Sequence, residues 1–304
     1  MSELAVRVAA QAKLNLHLRV FPRDESGYHP LETIFHRIDL ADDLVVEITS
    51  GTRTLDVAGT GTGPVESNLA WRAASAYAEH NRWPGGFNIA LTKRIPVGAG
   101  LGGGSADAAA VLRALNSLSP SPMPAPRLLA LGGSMGSDIP FLLSDAVMAL
   151  AWSRGERMLS LSPLPRHDLL LMTPEFSVTT ADAYRWLDED RARGSDGRES
   201  MGEQPPGGEA IAFDLLDLSS WARIAKFARN DFEPVVAARH PELSSYLARL
   251  RSSRATLAGM TGSGSTLFGV LDTPPDYSKV PEEHRARVTT TTTSIDVVQP
   301  VRVG

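Results

Sequence analysis

The chain of 304 residues contains no cysteine. Disulfides, thiolate metal sites and cysteine nucleophiles are therefore excluded, and a reducing cytoplasm fits the composition. Basic residues are not in excess either. Thirty Lys and Arg stand against 35 Asp and Glu, for a formal net charge of −5. No surplus is left to neutralise a nucleic-acid backbone, although a local basic pocket stays open. No apolar run approaches the ~20 residues that cross a bilayer. The first stretch, MSELAVRVAAQAKLNLHLRV, lacks the uninterrupted apolar core of a secretory leader. A soluble cytoplasmic protein is expected. Two nucleotide signatures are missing as well. None of the four lysines follows a glycine, which removes the Walker A pattern, and there is no H-R-D and no D-F-G.

What remains is ordinary for a globular protein, with 42% apolar and 21% charged residues. The length favours two domains, taken here as 1–160 and 161–304. From Gln11 to Val20 apolar and polar residues alternate, which predicts a half-buried strand with Lys13, Asn15, His17 and Arg19 on its polar face. At least one more strand is expected within 32–49, a helix over Asn68–His80, and a strand over Phe87–Thr92. Ala106–Leu115 has helical spacing and composition. Ser119–Pro126 (SPSPMPAP) is a connection, and a short helix follows it. RMLSLSPL and DLLLMTPE predict strands that open the second unit. The polar stretch 190–210 predicts a surface loop, and the threonine-rich VTTTTTSIDVV a terminal strand.

Pro96–Ser105, PVGAGLGGGS, stands between a predicted strand and an Ala-rich helix. Five glycines let the backbone turn sharply and converge several N–H groups. The helix that follows adds free N–H donors and the positive end of its dipole. Together these suit phosphate; the plainer alternative is a flexible connector. Gly98, Gly100 and Gly103 also satisfy G-x-G-x-x-G, so a nicotinamide-dependent oxidoreductase is a rival. That fingerprint expects a second strand ending in an acid about 20 residues on, and Leu118–Pro126 offers neither.

The same loop resembles the second motif of the superfamily of galactokinase, homoserine kinase, mevalonate kinase and phosphomevalonate kinase. Two further elements stand in the superfamily's order: AKLNLHLRV in an early strand, and the late glycine loop GMTGSGSTLFGV, Gly259–Val270. Within it, GYHPLETIF after the first strand, the triple glycine of GLGGGSADAA, and GSDIPFLL are similar to the 4-diphosphocytidyl-2-C-methyl-D-erythritol kinases. Kinases of mevalonate, homoserine or sugars are the nearest alternatives.

The resemblance implies a two-domain α/β (α+β) fold, the GHMP-kinase fold. Its N-terminal domain resembles a ribosomal protein and its C-terminal domain is ferredoxin-like, with ATP and substrate meeting in the cleft between them. It implies ATP with Mg2+, transfer to an alcohol, a small-molecule substrate, and no nucleic-acid, membrane or obligate protein partner. It implies Asp138 as general base, since an alcohol is a poor acid and a carboxylate can accept its proton. By itself, Asp138 two residues before Pro140 reads equally as a helix N-cap. Lys13, in the AKxN element, would keep that base ionised and neutralise charge on the transferring phosphoryl group. Read alone, it is a solvated lysine on a strand.

By the same resemblance Asn15 would orient the hydroxyl, and Tyr28 and His29 would recognise the cytosine by stacking and hydrogen bonding. Tyr184 would supply a second aromatic face, with Thr180 beside it. Gly262 and Ser263 would form an anion-facing turn at the substrate diphosphate; a plain β-turn is the alternative. Pro96, Gly98, Gly100, Leu101, Gly102, Gly103, Gly104 and Ser105 would hold the ATP phosphates, with the Ser105 hydroxyl reaching the metal. Lys93 and Asn68 would stand near the adenine.

Overall fold

A computed structural model describes residues 4–59, 63–83, 85–197, 214–273 and 288–303. The alternating N-terminal stretch forms β1 (Ala5–Val20). It pairs antiparallel with β2 (Leu31–Thr49), which sets Lys13 opposite Arg37 and Asn15 opposite Phe35. β2 is long enough to serve two neighbours along its other edge. β4 (Gly86–Thr92) pairs with residues 43–49, and β5 (Met148–Ser153) pairs with residues 31–36. β3 (Arg53–Ala58) lies parallel to β4, and β6 (Arg157–Leu161) antiparallel to β5.

Helix α1 (Leu69–His80) crosses between β3 and β4 and packs beside α2 (Gly103–Leu118). Buried alanines at 108, 109, 110 and 114 let α2 approach its neighbours closely. Two short helices follow, α3 (Ala125–Gly133) and α4 (Ile139–Leu143). α3 begins inside the Pro-rich connector, because Pro126 fits the first helical turn, where its missing N–H has no partner to lose.

A second antiparallel sheet has the order β10-β7-β9-β8, with β7 (Asp168–Met172), β8 (Leu257–Met260), β9 (Leu267–Leu271) and β10 (Val288–Thr292). Its helices are α5 (Thr180–Gly197), α6 (Trp221–Ile224), α7 (Glu233–Ala237) and α8 (Pro241–Ser252). Period-two alternation gives this sheet two apolar faces. Leu170, Met172, Leu267 and Leu271 join Leu187, Val235 and Leu243 in one core. Leu169, Leu171, Phe268 and Val270 join Trp221 and Ile224 in the larger core under α1 and α2. Each such side chain contributes roughly 2 kcal/mol by leaving water. No helix among the described residues is long and apolar enough to cross a membrane.

Four sequence readings need correction. β1 is not half-buried: Lys13, Asn15, His17 and Arg19 are all buried. The second unit lies over the polar face, and the Leu18 N–H bonds to Arg229 O at 2.7 Å. RMLSLSPL does not open the second unit, since β6 completes the first sheet through β5. Residues 190–197 continue α5 rather than forming a loop, and residues 198–213 lie outside the described residues. The threonine run forms β10 but is not the last strand. Thr293 bridges back to Ile38, and β11 (Val301–Val303) pairs with β1.

His36 on β2 is wholly buried, 5.1 Å from the Trp221 ring, and its Nδ1 donates to Arg37 O at 2.7 Å. Burial pushes its pKa down from 6.5 to about 4. The unfolded chain thus takes up a proton that the folded chain refuses. Stability from this group is full above pH 6.5 and is lost as pH falls toward 4, by about 3 kcal/mol in all. Urea unfolding at pH 7.5 and 5 checks this. His36→Gln should be the less stable form at pH 7.5 and close much of the gap at pH 5; a gap that does not change with pH contradicts it.

Candidate active site

One cavity of about 910 Å3 lies between the two units, and every site residue inferred from sequence lines it. Its centre is Lys13. The ammonium donates to Asn15 Oδ1 at 2.6 Å and Gly100 O at 3.0 Å, and it stands 3.4 Å from Asp138 Oδ2. Two of its three protons are thus committed to neutral oxygens, and the Asp138 contact is an ion pair. Asp138 occupies the N-cap position of α4, yet its side chain makes no capping hydrogen bond. The carboxylate is turned to the cavity instead. Asn15 Nδ2 donates to Thr33 Oγ1 at 2.8 Å, so both ends of that amide are fixed.

The glycine loop delivers the backbone the sequence suggested. Gly98, Gly100 and Gly102 have φ of 69, 77 and 73°, the left-handed region that residues with a Cβ disfavour. Alternation of such residues turns successive N–H groups to one side. α2 starts at Gly103, so the first-turn N–H groups of Gly103, Gly104 and Ser105 face the same space. Leu101 O accepts the Lys13 N–H at 3.1 Å, which stitches the loop to β1, and Pro96 lines the cavity at the loop's start. Asn68 caps α1 through Oδ1, accepting from Ala70 N at 2.9 Å.

Lys93 lies beneath the loop, its Nζ bound to Asp42 Oδ2 and to Asp107 Oδ2, the latter at 2.6 Å. Burial opposes its charge, but the two carboxylates prevail and raise its pKa. Burial pushes Asp107 up to about 8 despite Lys93. Asp42 Oδ1 also accepts the N–H of Arg94 and of Ile95, which anchors the strand where it enters the loop.

At the far end Tyr28 is 56% exposed, with the Arg154 guanidinium 3.7 Å over its ring. His29 donates Nδ1 to Phe21 O at 2.8 Å and turns Nε2 to Asp188 at 3.2 Å. Tyr184 stacks on His29, ring centroids 5.0 Å apart. Burial, then the Asp138 charge, push the Tyr184 phenol upward. Thr180 Oγ1 lies 3.3 Å from Ser263 Oγ. The Gly262 turn touches the first glycine loop: a Cβ on Gly262 would sit 2.8 Å from Gly100 O, and one on Gly100 would sit 2.2 Å from Thr261 O.

Residues 68–145 match the GHMP kinases N terminal domain, and residues 212–288 match GHMP kinases C terminal. A 4-diphosphocytidyl-2-C-methyl-D-erythritol kinase of Solibacter usitatus is 40% identical over 86% of this chain and 80% of its own length. One from Moorella thermoacetica is 38% identical, over 86% and 88%. The chain belongs to the 4-diphosphocytidyl-2-C-methyl-D-erythritol kinase family of GHMP kinases. It is an ATP-dependent kinase. A crystal structure of 4-(cytidine 5'-diphospho)-2C-methyl-D-erythritol kinase is 36% identical, with a TM-score of 0.70 over 95% of this chain and 99% of that one. A homoserine kinase from Cytophaga hutchinsonii, 17% identical with a TM-score of 0.65, shares the fold. The family's two-domain architecture replaces the dinucleotide-binding alternative, since the sheet that feeds the glycine loop is mostly antiparallel.

Several residues that build this kinase site escaped the sequence reading. Thr261 Oγ1 accepts the Asn15 N–H at 2.9 Å and lies 3.4 Å from Gly100 O. Asn230 Nδ2 donates to Met260 O and Gly262 O at 2.8 and 2.9 Å, holding the second glycine turn. Asp107 sits two residues after Ser105 within the quoted motif, a signal that was available. Asp42 and Asn230 carry no local signal; only the tertiary fold brings them in.

The contact between glycine turns generates a contrast. Gly98→Ala enters open space and pays only its left-handed backbone, about 1–2 kcal/mol. Gly100→Ala meets Thr261 O as well. It should lose more stability in urea and lower kcat by roughly tenfold or more, because Thr261 and Asn15 shift together. Equal losses at the two positions contradict the close approach.

Proposed function

We propose that this kinase transfers the γ-phosphoryl group of ATP to the 2-hydroxyl of 4-diphosphocytidyl-2-C-methyl-D-erythritol. The observation that carries the reading is the Lys13–Asp138 pair, 3.4 Å apart where the phosphate loop meets the second glycine turn. Asp138 accepts the hydroxyl proton as the oxygen bonds to phosphorus and the bond to the ADP oxygen breaks. Lys13 orients that carboxylate, and Asn15 orients Lys13. The phosphate loop and the start of α2 hold the transferring group by backbone N–H donors in a site partly screened from water. Tyr28 and His29 take the pyrimidine, and Gly262 and Ser263 take the diphosphate of the acceptor.

Magnesium fits as a companion of ATP. Among the described residues no three His, Cys, Asp or Glu side chains gather into a cage. Mg2+ commonly takes most of its ligands from phosphate and water, with few from protein. Ser105, in the first turn of α2, would add one hydroxyl. The ion supplies charge neutralisation on the phosphates when bound.

ADP release from MgATP tests the reading with three acceptors: the diphosphocytidyl alcohol, mevalonate and homoserine. Turnover is expected with the first alone, and Asp138→Asn should lower kcat by about 10²–10⁴-fold. Turnover on mevalonate or homoserine would sink the pyrimidine assignment, and an active Asp138→Asn would sink the base.

A further inference from the structure

Arg37 is 2% exposed, and no carboxylate among the described residues lies within ion-pair distance of it. A buried guanidinium in that position is costly unless its donors are satisfied. It donates to three main-chain carbonyls: Nε to Ala146 O at 2.8 Å, and Nη2 to Phe141 O at 2.8 Å and Ser144 O at 2.9 Å. Two of these lie in or just past the last turn of α4. Helix ends leave such carbonyls without intrahelical partners, and a cation there is favourable. Arg113 on α2 reaches the same end, donating to Leu143 O and Ser144 O at 3.0 and 2.9 Å.

Asp138 stands at the opposite end of this five-residue helix, and its carbonyl accepts the Leu142 N–H at 3.1 Å. Arg37 also stands directly across from Lys13 in the β1–β2 ladder. The side chains form a continuous stack. Lys13 Nζ lies 5.7 Å from the Phe35 centroid, Phe35 stacks on Phe141 at 4.9 Å, and the Arg37 guanidinium lies 5.1 Å from Phe141. One residue is therefore bonded to the strand pair that carries Lys13 and to the helix that carries Asp138.

We propose that Arg37 is a positioning residue, which holds the Asp138 carboxylate beside Lys13 through the C-terminal carbonyls of α4. The inference rests on the roles given above to Asp138 and Lys13. A methionine would fill much of the volume but take the guanidinium donors from Ala146 O, Phe141 O and Ser144 O, of which the last two keep bonds from Ser144 and Arg113, and α4 would lose its reference to β2.

The test compares kcat and both KM values for wild type, Arg37→Met, Asp138→Asn and the double variant, at a temperature well below the lowest melting point. Arg37→Met should lower kcat by ~tenfold or more with both KM values within about twofold, because binding elements are untouched. It should lower the residual rate of Asp138→Asn no further, because it acts through that carboxylate. A wild-type kcat in Arg37→Met, or two losses that multiply in the double variant, overturns the proposal while the base assignment stands. A wild-type rate in Asp138→Asn overturns the base assignment and this inference with it. Val46→Ala, which removes buried methyls from the same strand away from the site, controls for general loosening. It should lower the melting point and leave kcat unchanged; a matching loss of kcat overturns the specific role. Should Arg37→Met not fold, Arg37→Lys keeps the charge without the fork and reads the same quantities.

Discussion

Two backbone turns from opposite ends of the chain touch at the centre of this enzyme, and the arrangement depends on neither having a side chain there. Gly100 and Gly262 lie so close that a Cβ on either would overlap a carbonyl of the other turn. The contact brings the glycine loop of one unit against the glycine turn of the other. Around it the polar bonds converge: Lys13 to Gly100, Asn15 to Thr261, Asn230 to Gly262. A phosphoryl donor and its acceptor must meet within about 3–3.5 Å for transfer. Under the function proposed above, main-chain proximity sets that meeting and side chains refine it.

Burial of the polar face of β1 follows from the same constraint. In a sheet with one face in water, Lys13, Asn15 and His17 would be solvated and their geometry loose. With the second unit laid over them, each acquires defined neighbours, and a buried polar group that lost its partner would be penalised. The penalty favours one arrangement over slipped ones. Rigidity at Lys13 and Asn15 is thus a result of packing as much as of local sequence.

Legibility in the sequence tracked the range of the interactions. α1, α2, β1 and β4 were readable because helix spacing, strand alternation and glycine clusters are local. The turns of the glycine loop were readable because left-handed backbone needs glycine whatever lies around it. The polar face of β1 was misjudged because alternation reports which residues differ, not what covers them. β6 was assigned to the wrong unit because an apolar strand does not name its partner. The later turns of α5 were hidden because a polar sequence reads as a loop. Asp42, Asn230 and Arg37 left no trace, since each acts on backbone far away in the chain. Thr261 stood inside a quoted motif, yet its role depends on Asn15, 246 residues earlier.

The return of the last residues to β1 bears on the order in which the molecule matures. Arg37 O receives the Ser294 N–H, Ile38 bridges Thr293, and β11 covers the outer edge of β1. During synthesis the first sheet therefore emerges with one border open and its most buried polar strand half-clothed. An open strand border is a template for unwanted pairing. β11 follows the second unit in sequence, so the newborn chain must keep that border from other partners until the second unit has been made.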